Sequence, residues 1–149
     1  MITSFKKIDH INIVVKDLEK VKNFFLIFGF TIKREGILEG KWIDTVMRLK
    51  HVKAEYVALS LHNCETKLEL LRFNNPENLS TCDNDVLNKT GFRHMAFEVE
   101  HIEGVVEHLK KEGVEFLSEV QTYKEIGKKL CYLLGPEGIM LELAEYEKK

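Results

Sequence analysis

The feature of this sequence that most restricts its fold is an internal repeat. The stretch HINIVVKDLEKVKNFFLIFGF, which begins at His10, aligns without a gap with HMAFEVEHIEGVVEHLKKEGV, which begins 84 positions later at His94. Each stretch is followed by a Leu-Glu-Leu pattern typical of a strand, at 68–70 in the first copy and at 141–143 in the second. Because the landmarks occur twice in the same order, we expect two copies of one supersecondary unit.

The first copy has the pattern of a strand, a helix and three further strands. Residues 7–15 are rich in β-branched side chains, which strands favour. Asp17 is placed to cap a helix whose apolar residues recur at helical spacing, and Gly29 follows where that helix should end. The remaining strands of this copy are predicted at about 30–34, 54–62 and 66–73.

The second copy repeats this order, with eleven fewer residues before its last strand. A strand at 92–100 and a helix at 102–112 that ends at Gly113 are followed by strands near 114–119, 128–134 and 139–146. The extra residues of the first copy fall within 31–62. Four apolar residues there predict either a short amphipathic helix or flap beside a site, or an ordinary packing insertion: Trp42, Ile43, Val46 and Met47.

The predicted fold class is α+β, with two tandem βαβββ modules. The modules cover about 6–73 and 91–146, and a polar, turn-rich linker covers 74–90. A chain of 149 residues can bury about 70% of its unfolded surface, so we expect residues 1–149 to form a single domain. Two such modules side by side can build one curved mixed sheet, whose concave face would hold a ligand.

Composition excludes several classes of protein. The formal net charge of −2 argues against a nucleic-acid-binding protein, and no run of about 18 apolar residues could span a membrane. The three cysteines, Cys64, Cys82 and Cys131, are widely spaced and form no CxxC motif, which argues against a disulfide framework or a thiolate zinc site. With no signal-peptide pattern at the N-terminus, we expect a reduced, cytoplasmic protein.

The repeat also places metal-ligating residue types at matching positions. His10 and His94 lie in the first strand of each copy, and Glu69 and Glu142 lie in the last. A carboxylate on a mostly apolar strand face is costly to bury unless it is paired, hydrogen-bonded or bound to a metal. Taken singly, such a histidine or glutamate more often packs in a core or faces solvent. The matched occurrence in both copies favours a shared site for Zn, Ni, Co, Mn or Fe(II).

The duplicated βαβββ unit with His10, Glu69, His94 and Glu142 in these strands resembles the vicinal oxygen chelate superfamily. This superfamily includes glyoxalase I, methylmalonyl-CoA epimerase, extradiol dioxygenases, fosfomycin-resistance enzymes and bleomycin-resistance proteins. The resemblance covers about 6–146, and its most specific stretches are FRHMAFEVEHIEGVVEHLKKEGV and GPEGIMLELAEY.

The order His-Glu-His-Glu resembles that of glyoxalase I and its isomerase relatives. The resemblance implies one divalent metal ion held by these four side chains, with two coordination positions left for adjacent oxygens of a small-molecule substrate. The implied reaction removes a proton next to a carbonyl group, with Glu142 as the base, as in a lyase, isomerase or epimerase. It also implies a homodimer, in which the two halves of a site belong to one chain or to two.

Two other functions remain open at this point. One is a binding protein that shelters a small molecule, such as an antibiotic, without transforming it. The other is an extradiol dioxygenase, although members of that class typically use two histidines and one glutamate, so Glu69 counts against it. Arg48, Arg72 and Arg93 are candidates to hold a carboxylate, phosphate or CoA group, or are simply solvated.

Overall fold

The computed structural model describes residues 4–79 and 86–148. The chain divides into two compact units, Met1–Ser80 and Thr81–Lys149, and the boundary falls inside the predicted linker. Each unit contains a strand, a long helix and further strands in the order that the repeat predicts. The predicted α+β fold of two βαβββ modules is therefore confirmed, whereas the single-domain organisation stays a prediction.

Unit one is a four-stranded mixed sheet with two helices. Its strands are ordered β1-β4-β3-β2, with β1 parallel to β4 and the other neighbours antiparallel. The elements are β1 (His10–Val14), α1 (Leu18–Ile27), β2 (Thr31–Glu39), α2 (Lys41–Met47), β3 (Lys53–Ser60) and β4 (Lys67–Asn75).

Helix α1 begins and ends where the sequence predicts. The Asp17 carboxylate accepts a hydrogen bond from the backbone N–H of Lys20 at 3.0 Å, which satisfies a donor that the first helical turn leaves unpaired. Gly29 follows the helix with φ +88°, a conformation that glycine adopts without steric cost. The helix packs against β3 and β4 through Val21 and Phe25, which are both completely buried.

Strand β2 carries a β-bulge near its start. Ile32 lies opposite Leu59 and Arg34 lies opposite Ala58, so Lys33 is an extra residue in the ladder. A bulge of this kind switches the face to which the following side chains point. Arg34 therefore lies on the opposite face of the sheet from Ile32.

The extra residues of the first copy form the last part of β2 and the predicted short helix, α2. Ile43 of this helix is buried in a small apolar cluster with Val52, Ala54 and Leu71, against which Met47 packs. The carboxylate of Asp44 accepts hydrogen bonds from the backbone N–H groups of the two residues that lead into β3, at 2.9 and 2.8 Å. The helix is therefore fixed at one end of the sheet of unit one.

Unit two repeats the arrangement around β9. Its strands are ordered β5-β9-β8-β6, β7 pairs with β8, and β5 is parallel to β9. The elements are β5 (Met95–Glu98), α3 (Ile102–Lys111), β6 (Glu115–Phe116), β7 (Gln121–Tyr123), β8 (Lys128–Leu134) and β9 (Met140–Tyr146). Helix α3 begins and ends 84 positions after α1, as the repeat requires. Among the residues that the structure describes, no helix has the length and apolar character needed to cross a membrane.

Candidate metal site

The predicted ligands lie on one face of each sheet, which we call the site face. Side chains alternate between the two faces of a strand, and the buried neighbours of the ligands face the long helix of the unit. The site face is therefore the other face of each sheet. The site face of unit one carries His10, Asn12 and Glu69. The site face of unit two carries Tyr132 and Glu142, which lie directly opposite each other in β8 and β9.

In unit two the structure brings two of the predicted ligands together. Glu142 is only 4% exposed, and its Oε2 lies 3.1 Å from Nε2 of His94, one residue before β5. Its other oxygen, Oε1, lies 2.6 Å from the ammonium of Lys128 at the start of β8. This carboxylate is therefore buried between an imidazole and a positive charge, as the cost of burying an isolated charge requires.

Lys128 and Tyr132 were not among the predicted site residues. Both lie on the site face because β8 alternates, and their positions opposite β9 are the signal that could have identified them. The Tyr132 ring packs edge-to-face on His94, with ring centroids 5.0 Å apart. Burial, and then the nearby carboxylate of Glu142, raise the pKa of Tyr132, so its phenol stays neutral at physiological pH. The adjacent carboxylate of Glu142 raises the pKa of Lys128, so its ammonium stays charged.

In unit one each predicted ligand has its own polar partner. Asn12, rather than His10, lies opposite Glu69 and donates a hydrogen bond from Nδ2 to its Oε1 at 2.9 Å. His10 lies opposite Lys67, and its Nδ1 is 2.8 Å from the carboxylate of Asp9. The hydrogen bond to His10, followed by the charge of Lys67, holds the pKa of Asp9 below its ordinary value. His10 and Glu69 thus share the site face without a direct hydrogen bond to each other.

These partners fit the chemistry of a divalent metal site. A histidine ligand usually donates its second ring N–H to a carboxylate or carbonyl, as His10 can to Asp9, and a ligating carboxylate is usually hydrogen-bonded, as Glu69 is by Asn12. Two donors at about 2.1 Å from one ion, at right angles, are about 3 Å apart. The spacing of 3.1 Å between His94 and Glu142 matches this value.

The predicted ligands are divided equally between the two units. Among the described residues of either unit, no three His, Cys, Asp or Glu side chains are grouped so that they could hold a metal ion. Each unit instead carries one histidine and one glutamate of the predicted set on its site face.

Two of the three arginines proposed as anion ligands have partners within the protein. The guanidinium of Arg72 forms an ion pair with Glu55, and Nη1 of Arg93 donates to the backbone oxygen of Val86 at 3.2 Å. Arg48 ends α2 in a left-handed conformation. Arg34, which was not among the predicted residues, lies on the site face because of the bulge in β2. No periodic pattern could have identified it, because a bulge interrupts the period.

Comparison with known proteins agrees with this architecture. The model of the Glyoxalase/Bleomycin resistance protein/Dioxygenase superfamily matches residues 7–143. The uncharacterized protein YwkD of Bacillus subtilis (strain 168) is 29% identical over 141 residues, which are 94% of this chain and 97% of that protein.

Solved structures give the same result. A glyoxalase family protein from Bacillus cereus has a TM-score of 0.87 at 30% identity, with 97% of this chain and 98% of that chain covered. TnmS3, an antibiotic binding protein from Streptomyces, shares the fold, with a TM-score of 0.64 at 13% identity over 97% of this chain and 99% of that chain. The match of the family model over nearly the whole chain, together with the duplicated βαβββ unit, shows that this protein belongs to the glyoxalase, bleomycin resistance and dioxygenase superfamily.

Proposed function

We propose that the protein is a metal-dependent lyase, isomerase or epimerase that moves a proton next to a carbonyl group of a small oxygenated metabolite. The observation that carries this proposal is the carboxylate of Glu142. It is buried on the site face and lies within hydrogen-bond distance of His94. A buried carboxylate must be paired, hydrogen-bonded or bound to a metal, and the imidazole beside Glu142 could share a metal ion with it.

In this proposal His10, Glu69, His94 and Glu142 are the ligands of one divalent ion, Ni, Zn, Co, Mn or Fe. When bound, the ion supplies Lewis acidity that makes the carbon next to a carbonyl group easier to deprotonate. Asp9 orients His10 so that its Nε2 lone pair is available, and Asn12 holds Glu69 in one orientation. Because both contacts already hold the side chains in one orientation, His10 and Glu69 lose less conformational entropy when they bind a metal ion.

Glu142 is the proposed base. One of its carboxylate oxygens accepts the proton from carbon, and the same group returns it to that carbon or to its neighbour. Met140 and Ala144, which flank Glu142 on the same face of β9, are each 3% exposed and limit the access of water. A base shielded in this way keeps the proton for the return step.

Metal content and the Glu142→Gln variant test this function. The protein, purified without chelator and reconstituted, should bind one equivalent of divalent metal. Glu142→Gln should fold normally by circular dichroism and lose about 10²- to 10⁴-fold in turnover of 2-oxoaldehyde–thiol adducts or acyl-CoA epimers. Glu125→Gln is the matched control, because Glu125 is an exposed glutamate of the same unit. Full activity of Glu142→Gln would remove Glu142 as the base.

A binding protein without catalysis is the second candidate. The likeness in fold to the antibiotic binding protein TnmS3, and the ammonium of Lys128 that already neutralises Glu142, favour this candidate. It predicts no bound metal after reconstitution and recovery of the ligand unchanged. An extradiol dioxygenase, the third candidate, predicts dependence on iron and ring cleavage of catechols in air.

The proposal includes a homodimer in the cytoplasm. The reduced, cytoplasmic state rests on the wide spacing of the three cysteines in the sequence. Light scattering after size-exclusion chromatography tests the dimer, and a monomer at micromolar concentration would contradict it.

A further inference from the structure

Lys128 and Glu142 form an ion pair in which both side chains are largely buried. The Lys128 side chain is 16% exposed and that of Glu142 is 5% exposed, with 2.6 Å between Nζ and Oε1. The neighbouring Lys129–Glu103 pair has the same length, but its side chains are 44% and 60% exposed. Charges interact more strongly when they are shielded from water. Lys128 therefore stabilises the negative charge of Glu142 more than an exposed lysine would.

The first copy of the repeat has no such cation. The position of unit one that corresponds to Lys128 is Ala54, which lies opposite Phe73 as Lys128 lies opposite Tyr146. Glu69, the counterpart of Glu142, receives a neutral amide from Asn12 instead. Of these two carboxylates, Glu142 is thus the one that pairs with a lysine at this position.

A lysine at this place must compete with a divalent cation. A divalent ion bound to Glu142 would lie close to the ammonium at Oε1, and the two positive charges would weaken each other's binding. Lysine carries its charge on a flexible stem, so it can move aside. Apart from Glu142, its ammonium has Tyr146 as a neighbour: the ring centroid is 5.6 Å away, and the hydroxyl lies within reach of the ammonium. A displaced ammonium would therefore need a new anion.

We propose that Lys128 is an exchangeable counter-ion. Its ammonium neutralises Glu142 while the carboxylate holds no metal, and it would leave the carboxylate if Glu142 bound a divalent ion. The displaced ammonium then binds an anionic oxygen of the ligand, so that the favoured substrates carry a carboxylate or a phosphate near the carbonyl group. This inference rests on the proposed function, because it requires Glu142 to be a metal ligand.

Titration of chelator-treated protein with Ni²⁺ by calorimetry tests the exchange. Lys128→Met, which keeps the apolar stem, should bind Ni²⁺ about tenfold more tightly than the wild type, because the competing charge is gone. Lys129→Met is the matched control and should leave the Ni²⁺ affinity unchanged. Lys128→Gln, a second neutral variant that keeps a hydrogen-bond donor, serves if Lys128→Met does not fold. Equal or weaker Ni²⁺ binding by the neutral variants would overturn the exchange.

Sulfate tests the second half of the proposal, at an ionic strength held constant with chloride. Sulfate should tighten Ni²⁺ binding to the wild type, since it gives the displaced ammonium a partner, and should have no such effect on Lys128→Met. No effect of sulfate on the wild type, or an equal effect on both proteins, would overturn the anion-binding role.

Melting temperatures in the presence of chelator separate this inference from the proposed function. Removal of one partner of a buried ion pair is destabilising, so Lys128→Met should melt several degrees below both the wild type and Lys129→Met. If the wild type binds no Ni²⁺, the proposed function fails. If the wild type binds Ni²⁺ but Lys128→Met has the same melting temperature as the wild type, the counter-ion role fails instead.

Discussion

The carboxylate of Glu145, near the end of β9, caps helix α3 at Ile102. Its Oε2 accepts a hydrogen bond from the backbone N–H of Ile102 at 3.0 Å, and its Oε1 accepts one from the preceding residue, His101, at 3.2 Å. Helix α3 thus receives from a distant strand the cap that α1 receives from its own Asp17. The contact ties the helix of unit two to the strand that carries Glu142.

This cap predicts a pH dependence of stability. The backbone hydrogen bond from Ile102 holds the pKa of Glu145 below its ordinary value of 4.5. A carboxyl group whose pKa is lowered by folding stabilises the folded state above its unfolded pKa, and this stabilisation is lost as the pH falls through the folded pKa. Glu145→Gln should therefore melt below the wild type at neutral pH, and the difference should shrink below about pH 4.5.

Melting curves between pH 3 and pH 8 measure this effect. Glu125→Gln, which alters an exposed glutamate of the same unit, is the control and should follow the wild type at every pH. A difference between Glu145→Gln and the wild type that does not change with pH would contradict the role of the charge.

Asp9 should control the affinity of the proposed metal site without being a ligand. Its carboxylate lies 2.8 Å from Nδ1 of His10 and fixes the ring for coordination through Nε2. Loss of such a partner typically lowers metal affinity by about 10- to 100-fold. Asp9→Ala should show this loss in a titration with Ni²⁺. Glu65→Gln should not, because Glu65 is an exposed acid of the same unit that pairs with Lys7.

The two described thiols should differ sharply in reactivity. Cys131 is 2% exposed, and burial raises its pKa from 9.0 to about 11, whereas Cys64 is exposed. At pH 8 only about one Cys131 thiol in a thousand is ionised, and the thiolate is the reactive form. In a Cys82→Ser background, iodoacetamide followed by mass spectrometry should label Cys64 and spare Cys131. Addition of denaturant should expose both, and equal labelling of the native protein would contradict the burial of Cys131.

The sequence was sufficient for the parts of the fold that depend on periodicity. The ends of α1 and α3 follow from apolar spacing and from Gly29 and Gly113, which have φ of +88° and +84°. Strands were harder to delimit, because a strand ends where its neighbour ends. The stretch predicted as a strand at 7–15 pairs only from His10, where its partner β4 begins at Lys67.

The sequence predicted which residues belong to the candidate site, but not which of them contact each other. The repeat identified Glu142 and His94, which lie together, but it could not show that Asn12 rather than His10 lies opposite Glu69. Register between strands is a tertiary property that local pattern leaves open. The ion pair of Lys128 was missed for the same reason, since it joins residues 14 positions apart on neighbouring strands.

The bulge at Lys33 makes the two ends of β2 independent of each other. Past the bulge, Gly36 lies against the ring of Tyr56, where a Cβ atom would approach to 3.0 Å, so this pairing favours glycine. A ladder that already holds one surplus residue can lose it and become regular. A shortened chain that lacks Lys33 should therefore keep the later pairings, and evolution could vary the loop after α1 without moving Arg34.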